Sequence, residues 1–177
     1  MRKFLIGFGA VCALIIAYVI YLANDAGEFR TLADQHYGQC RQIPGMPGSE
    51  DITIRPDGRL AYISSDDRRS VISGNPSPGA IFRYDLDTPS ATPINLTPDA
   101  DLRFRPHGLS LYVGADGRET LFVVNHPGES LFGAPEGEGR GPRHTIEVFD
   151  VVDNALIHRQ THAHELMISP NDVVGVD

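Results

Sequence analysis

The chain has 177 residues and a formal net charge of −8, from 23 acidic and 15 basic side chains. This charge argues against a nucleic-acid partner, because binding a phosphate backbone requires a basic face. The 18 glycines and 13 prolines are spread along the chain. They favour many turns and short strands over long helices.

The first element is an uncharged apolar run over residues 4–23, preceded by Arg2 and Lys3. A helix of this length rises about 30 Å, the thickness of the hydrocarbon core of a bilayer. The basic flank predicts that the remainder of the chain is translocated. We therefore expect residues 1–23 to be an uncleaved transmembrane signal anchor, with the domain on the extracytoplasmic side. A cleaved signal peptide is the alternative, although no clean cleavage site follows the run.

Residues 24–39 have weak helical character and are predicted to form a short helix or stalk between the anchor and the domain. Cys12 lies within the anchor, whereas Cys40 lies just after the stalk, in an oxidising compartment if the topology is right. The residues leave two interpretations of Cys40 open: a free buried thiol, or a disulfide to a cysteine that this chain lacks.

From residue 50 onward the pattern is strand, turn, strand. Asp57-Gly58 and Asp116-Gly117 lie between alternating apolar runs, which is a strong hairpin signal. The strand candidates are residues 51–55, 60–64, 81–86, 109–113, 121–124, 145–151, 155–158 and 173–176.

The two Asp-Gly turns are 59 positions apart, and each repeat holds about four strand candidates. This rhythm predicts an all-β fold made of β-propeller blades, with residues 40–177 as the N-terminal blades. A β-sandwich is the alternative. Residues 128–144 are rich in glycine and proline and interrupt the rhythm, so they are predicted to form a mobile loop beside a candidate site residue.

Three polar clusters lie where predicted strands begin: Glu50-Asp51, His107 and Asn171-Asp172. In a propeller the innermost strand of each blade lines the central channel, so these clusters are expected to converge. Carboxylate and amide oxygens are the ligands that Ca²⁺ prefers. The sequence therefore predicts a calcium site.

Each cluster also has a simpler interpretation. Glu50-Asp51 is equally compatible with a solvated loop, and Asn171-Asp172 with a turn. An isolated histidine such as His107 or His126 is more often an ordinary loop or core residue. A serine hydrolase is poorly supported, because the chain has no Gly-x-Ser-x-Gly motif.

At these same residues the sequence resembles the paraoxonase/arylesterase family. The similar segments occur in the family's order and read GSEDI at 48–52, LAYISS at 60–65, PHGLS at 106–110, LFVVNHP at 121–127 and NDVV at 171–174. The combination of the last three segments is specific, although each alone is not. The resemblance covers roughly residues 40 to 177 and implies the first half of a six-bladed propeller.

The resemblance also implies a function and its residues. It implies calcium-dependent hydrolysis of lactones and aryl esters, with two calcium ions in the complete domain. Glu50 and Asn171 would bind the catalytic ion. The structural ion would be bound by Asp51, Asp172 and the backbone carbonyl of Leu109. His107 and His126 would activate water, and Cys40 would form the family's disulfide to the last blade.

The family's domain is longer than this chain, so the remaining calcium ligands and the disulfide partner are expected in blades that are absent here. We expect a truncated chain that binds calcium poorly and lacks activity alone. Two other functions remain open: a sugar lactonase of the gluconolactonase/regucalcin type, and a non-catalytic propeller that binds a ligand at the cell surface.

Overall fold

A computed structural model of the chain describes residues 2–31, 38, 40–127 and 144–176. The chain divides into two compact units, Met1–Arg41 and Gln42–Asp177. The predicted loop at 128–144 lies outside the described residues except for its last residue, His144, as do residues 32–37 and 39 of the predicted stalk.

The first unit is built on one helix, α1, which covers Arg2–Asp25. It ends in a Schellman-type cap: Gly27 has φ 83°, its N–H donates to the carbonyl of Asn24, and Glu28 N–H donates to Ala23. Ile6–Asp25 is long and apolar enough to cross a membrane, and its side chains are largely exposed. This confirms the predicted apolar helix as a candidate span, a property that a signal sequence shares.

The second unit contains two antiparallel sheets of four strands each. The first sheet consists of β1 (Ser49–Ile54), β2 (Leu60–Ser65), β3 (Ala80–Asp85) and β4 (Ile94–Asn95). The second consists of β5 (Pro106–Val113), β6 (Glu119–Asn125), β7 (Thr145–Val152) and β8 (Ala155–His162). In both sheets the spatial order of the strands follows the chain, unlike the Greek-key order of most β-sandwiches.

The first hairpin of each sheet has the same turn. Gly58 and Gly117 have φ of 73° and 77°, a left-handed conformation that only glycine adopts without strain. The β7–β8 turn places Asp153 and Asn154 at φ of 50° and 62°, the two positive values that a type I′ hairpin requires. The two Asp-Gly turns predicted from the sequence are therefore confirmed.

A single hydrophobic cluster joins the two sheets. Tyr62 and Ile81 of the first sheet pack with residues of the second, among which Leu121 and Val123 are fully buried. A smaller cluster around Ala61, Ile63 and Tyr84 lies on the other side of the first sheet. Because β2 contributes to both clusters, both of its faces are buried, which matches its continuous apolar sequence.

Two details differ from the predictions. Residues 173–176 do not form a strand in the described part of the chain, because no strand ladder includes them. A strand requires a backbone partner, and here Gly175 N–H instead donates to the hydroxyl of Ser110. The short helix α2 (Arg68–Ile72) and the two-residue strand β4 were not predicted, since segments this short carry too little periodicity.

Candidate functional site

The site begins at an irregularity in β1. Ser49 pairs with Ser65 and Ile52 with Ile63, so one extra residue lies in β1 between these pairs. Glu50 and Asp51 occupy this bulge, a feature that redirects side chains and is common beside functional sites. Only glycine fits at position 48, just before the bulge, because a Cβ there would lie 2.2 Å from the carbonyl oxygen of Asp66.

The first strand of the second sheet repeats this irregularity. In β5, Pro106 pairs with Asn125 and Leu109 with Val123, so His107 and Gly108 occupy a matching bulge. The two first strands lie side by side. Leu109 N–H donates to Asp51 Oδ2 at 2.7 Å, and Leu111 N–H donates to Thr53 Oγ1 at 3.3 Å.

The third predicted cluster lies against the second. A Cβ on Gly108 would approach the carbonyl oxygen of Asn171 to 2.4 Å and Asp172 Oδ1 to 2.7 Å. Asp172 and Asp51 have the same local geometry, since Oδ1 of each accepts the N–H of the next residue. The structure therefore brings segments 50–51, 107–109 and 171–172 together.

The chemistry of these donors fits calcium. Glu50, Asp51 and Asp172 carry carboxylates, Asn171 carries an amide, and Leu109 offers a backbone carbonyl. All are hard oxygen donors. Among the described residues, no three side chains of His, Cys, Asp or Glu form a group that could hold a metal ion. Amide and backbone oxygens are therefore needed beside the carboxylates to approach the roughly six ligands of calcium.

His107 is buried at the edge of this cluster and is held on both ring nitrogens. Its Nε2 lies 3.1 Å from Glu50 Oε1, and its Nδ1 lies 2.6 Å from Arg68 Nη2. Arg68 Nη2 is also 3.8 Å from Glu50 Oε2. His107 therefore contacts one of the predicted metal ligands directly.

His126, the second predicted histidine, packs against His107. The rings of His107 and His126 meet edge to face, with centroids 5.2 Å apart. On its other side His126 Nδ1 lies 2.8 Å from Nδ1 of His144, which precedes β7. All three rings are buried. The predicted pair is thus part of a row of three histidines.

Asn125 and Glu147 form hydrogen bonds beside the segments that carry this row of histidines. Asn125 Oδ1 accepts Arg105 N–H at 2.7 Å, and its Nδ2 donates to Glu147 Oε1 at 3.3 Å. Glu147 also accepts hydrogen bonds from Thr145, His158 and Thr161. Burial alone would raise the pKa of Glu147, but these four donors outweigh it and lower the pKa below its ordinary value.

A second buried carboxylate, Asp66, lies beside Arg68. Its side chain is 2% exposed, and its Oδ2 is 3.1 Å from Arg105 Nη2 and 3.7 Å from Arg68 Nε. Burial raises the pKa of Asp66, although both arginines oppose the rise. Among the described residues, Asp66 Oδ1 has no hydrogen-bond partner.

Two large cavities in the described part of the chain lie outside this site. One, of about 730 Å³, is lined by Arg55, Glu119 and residues of the β7–β8 turn. The other, of about 670 Å³, lies between the segment 96–104 and the outer strands of the second sheet. Neither is lined by a predicted ligand or by His107, so the site is identified by converging side chains rather than by cavity size.

The sequence analysis missed three residues of this site: Asp66, Arg68 and His144. The run Asp66-Asp67-Arg68-Arg69 directly follows the buried strand β2, and charges at that position were the available signal. His144 gave no signal, because its neighbour His126 is separated from it by 18 positions. Cys40 is a free, exposed thiol, and Cys12 is also free.

Comparison with known proteins identifies related sequences. The sequence model of the arylesterase family matches residues 33–177. The chain is 37% identical to serum paraoxonase/arylesterase 2 of Rattus norvegicus over 180 residues, covering 97% of this chain and 46% of the relative. It is 34% identical to the protein of the same name from Gallus gallus, over 95% of this chain and 46% of the relative.

A third relative, serum paraoxonase/lactonase 3 of Mus musculus, is 32% identical over 94% of this chain and 45% of its own length. The chain thus spans about half the length of the curated relatives it matches.

Proposed function

Because this chain belongs to the arylesterase family, we propose that it forms the N-terminal part of a calcium-dependent hydrolase of lactones and aryl esters. The observation that carries the proposal is the meeting of three segments at Gly108, which places oxygen donors beside His107. The names of the relatives support the substrate class, since they include arylesterase and lactonase.

We infer that the two sheets are the first two blades of a six-bladed β-propeller. Sequence-ordered antiparallel sheets are the form of a propeller blade. The first strands β1 and β5 are neighbours, linked at positions 58 residues apart. The segment 171–175 lies against β5 much as β5 lies against β1, which supports the start of a third blade.

For the metal centre, we propose two calcium ions with different ligands. Glu50 and Asn171 would hold the catalytic ion, whereas Asp51, Asp172 and the carbonyl of Leu109 would hold the structural one. The hydrogen bond from Leu109 N–H to Asp51 supports the second set, because it fixes the carboxylate beside the strand that offers the carbonyl. Calcium at the first set would polarise the substrate carbonyl and stabilise the developing oxyanion.

The two histidines would carry out proton transfer. His107 would accept a proton from the attacking water, with Glu50 at Nε2 orienting its ring. His126, packed edge to face against His107, would orient the base or relay the proton. Burial of both rings supports this role, because bulk water is excluded from the reacting atoms.

The first unit would attach the enzyme to a membrane. We propose that α1 is an uncleaved signal anchor and that the sheets lie on the extracytoplasmic side, in the periplasm or outside the cell. The basic residues before the apolar run support this orientation. In that oxidising compartment the exposed thiol of Cys40 would pair with a cysteine outside this chain.

An assay of the protein encoded by the complete open reading frame tests the proposal. Phenyl acetate and δ-valerolactone serve as the aryl ester and the lactone, with and without a calcium chelator. We expect hydrolysis of both that is lost with the chelator and restored by added Ca²⁺. Calcium binding without turnover would indicate a non-catalytic module, and turnover of sugar lactones alone would indicate a sugar lactonase. Either result would refute the proposal.

A further inference from the structure

Arg68 occupies a position at the site to which the proposed reaction assigns no role. It is the first residue of α2, and its guanidinium lies among three groups of the site. Nη2 is 2.6 Å from His107 Nδ1 and 3.8 Å from Glu50 Oε2, and Nε is 3.7 Å from Asp66 Oδ2. About a third of its side chain is exposed, so the guanidinium lies at the boundary between the buried histidines and solvent.

The contact with Arg68 determines the tautomer of His107. A guanidinium has only donors and stays protonated in proteins, so His107 Nδ1 must be the acceptor in this hydrogen bond. A ring whose Nδ1 offers a lone pair carries its proton on Nε2. That nitrogen lies 3.1 Å from Glu50 Oε1, which accepts it. The two contacts are therefore consistent with a single, neutral form of the ring.

We propose that Arg68 is a positioning residue that holds His107 as the Nε2–H tautomer and caps Nδ1, the nitrogen with which His107 would accept a proton. The tautomer and the cap follow from the contacts themselves, whereas their bearing on catalysis rests on the proposed function. In that reaction the attacking water takes the place of the guanidinium at Nδ1, because one lone pair cannot accept from both donors.

When water takes this position, the guanidinium of Arg68 moves toward the carboxylate of Asp66. That carboxylate already lies 3.7 Å from Arg68 Nε, and its buried Oδ1 has no hydrogen-bond partner among the described residues. A buried carboxylate oxygen without a hydrogen bond destabilises the folded state. A movement of the guanidinium toward Asp66 would shorten its contact with this carboxylate and free His107 Nδ1.

Nitrogen-15 spectra of the ring test this assignment directly. The full chain, labelled with ¹⁵N-histidine and held in detergent micelles, is compared with Arg68→Met and Arg68→Lys. Signals of His107 are identified by their loss in His107→Gln. We expect wild-type His107 to show a protonated Nε2 and an unprotonated Nδ1. Arg68→Met should move the Nδ1 resonance downfield, as the hydrogen bond is lost, and Arg68→Lys should recover most of that shift.

The matched control is Arg69→Met, which changes the next, exposed arginine of α2 and should leave the His107 signals unmoved. A wild-type ring protonated on Nδ1 would overturn the proposal, as would an Nδ1 resonance that is the same in wild type and Arg68→Met. The spectra require no turnover. An Nδ1 resonance that Arg68→Met leaves unmoved in an active enzyme therefore refutes only the role of Arg68, and the expected spectra from an inactive protein refute only the proposed function.

Discussion

Glu147 is a buried negative charge that depends on four neighbouring donors. At neutral pH its carboxylate accepts hydrogen bonds from Asn125, Thr145, His158 and Thr161. Through Asn125 it also supports the backbone of Arg105, immediately before the segment that carries His107. A residue outside the candidate site thus fixes the position of a residue within it.

Replacing Glu147 with Gln is expected to destabilise the fold by about 2 kcal/mol at pH 7, because hydrogen bonds to a charged acceptor are lost. Since the folded pKa is lowered, the charge stabilises the fold fully above the ordinary value of 4.5. This contribution disappears as the pH falls from that value through the folded pKa. Urea unfolding at pH 7 and at acid pH should show the difference between wild type and variant shrinking in acid.

Glu165→Gln is the control for this experiment, because Glu165 is exposed and its replacement should change stability little at any pH. A constant difference between wild type and Glu147→Gln across the pH range would show that the charge of Glu147 is not what stabilises the fold.

His107 is the residue at which the proposed chemistry is most directly tested. In the protein from the complete reading frame, His107→Gln should lower kcat by about 100-fold or more, the usual contribution of a general base. Calcium affinity should be largely kept, since His107 is not a proposed ligand. Steady-state kinetics with phenyl acetate and calorimetric calcium titration measure the two effects.

Exposed His162, at the end of β8, supplies the matched variant His162→Gln, which should retain wild-type kcat. Full activity in His107→Gln would remove the base assignment. Loss of calcium binding would instead make His107 a structural part of the metal centre.

At the scale of elements, the bulges in β1 and β5 build the site. Each inserts one extra residue near the start of the first strand of a sheet. The insertion turns Glu50-Asp51 and His107-Gly108 out of the regular alternation of a strand. Equivalent bulges in neighbouring strands thus place their polar residues side by side.

Gly108 is the point where the second and third segments touch. In Gly108→Ala the new Cβ would meet backbone atoms of Asn171 and Asp172, which have to move. We expect a loss of about 1–3 kcal/mol in unfolding free energy, as for other overpacked positions. Urea unfolding of the full chain in detergent measures it.

Gly114→Ala is a suitable comparison, because its Cβ would meet only the end of the exposed Asp116 side chain within 3.4 Å. Gly114→Ala should therefore lower the unfolding free energy clearly less than Gly108→Ala does. Equal stability of the two variants would show that segment 171–172 does not press on Gly108 in solution.

At the scale of the whole molecule, the chain consists of an apolar helix and a separate unit of two sheets. Every residue proposed to bind calcium or activate water belongs to the second unit. Strand β1 leaves Ile52 and Ile54 about half exposed, and Val174 and Val176 are also exposed. Further blades of the proposed propeller would cover these side chains.

Much of this arrangement was predictable from the sequence. The apolar run, the Asp-Gly turns and the alternating strands each depend on neighbours within a few positions, so local pattern was enough to locate α1 and seven of the eight strands. Strand β4 was not predicted, because it has only two residues. The expected strand at 173–176 was wrong because pairing, which is not local, decides whether an extended segment becomes a strand.

The sequence by itself determined the family, the chemical type of the candidate ligands and the positions of the hairpins, because these follow from residue identity and short-range spacing. Only the tertiary structure decided that Arg68 caps His107, that His144 extends the histidine row and that Asn171-Asp172 lies on Gly108. These contacts join residues 18 to 64 positions apart. Such contacts depend on how the strands bend and pack, and no short-range sequence pattern contains that information.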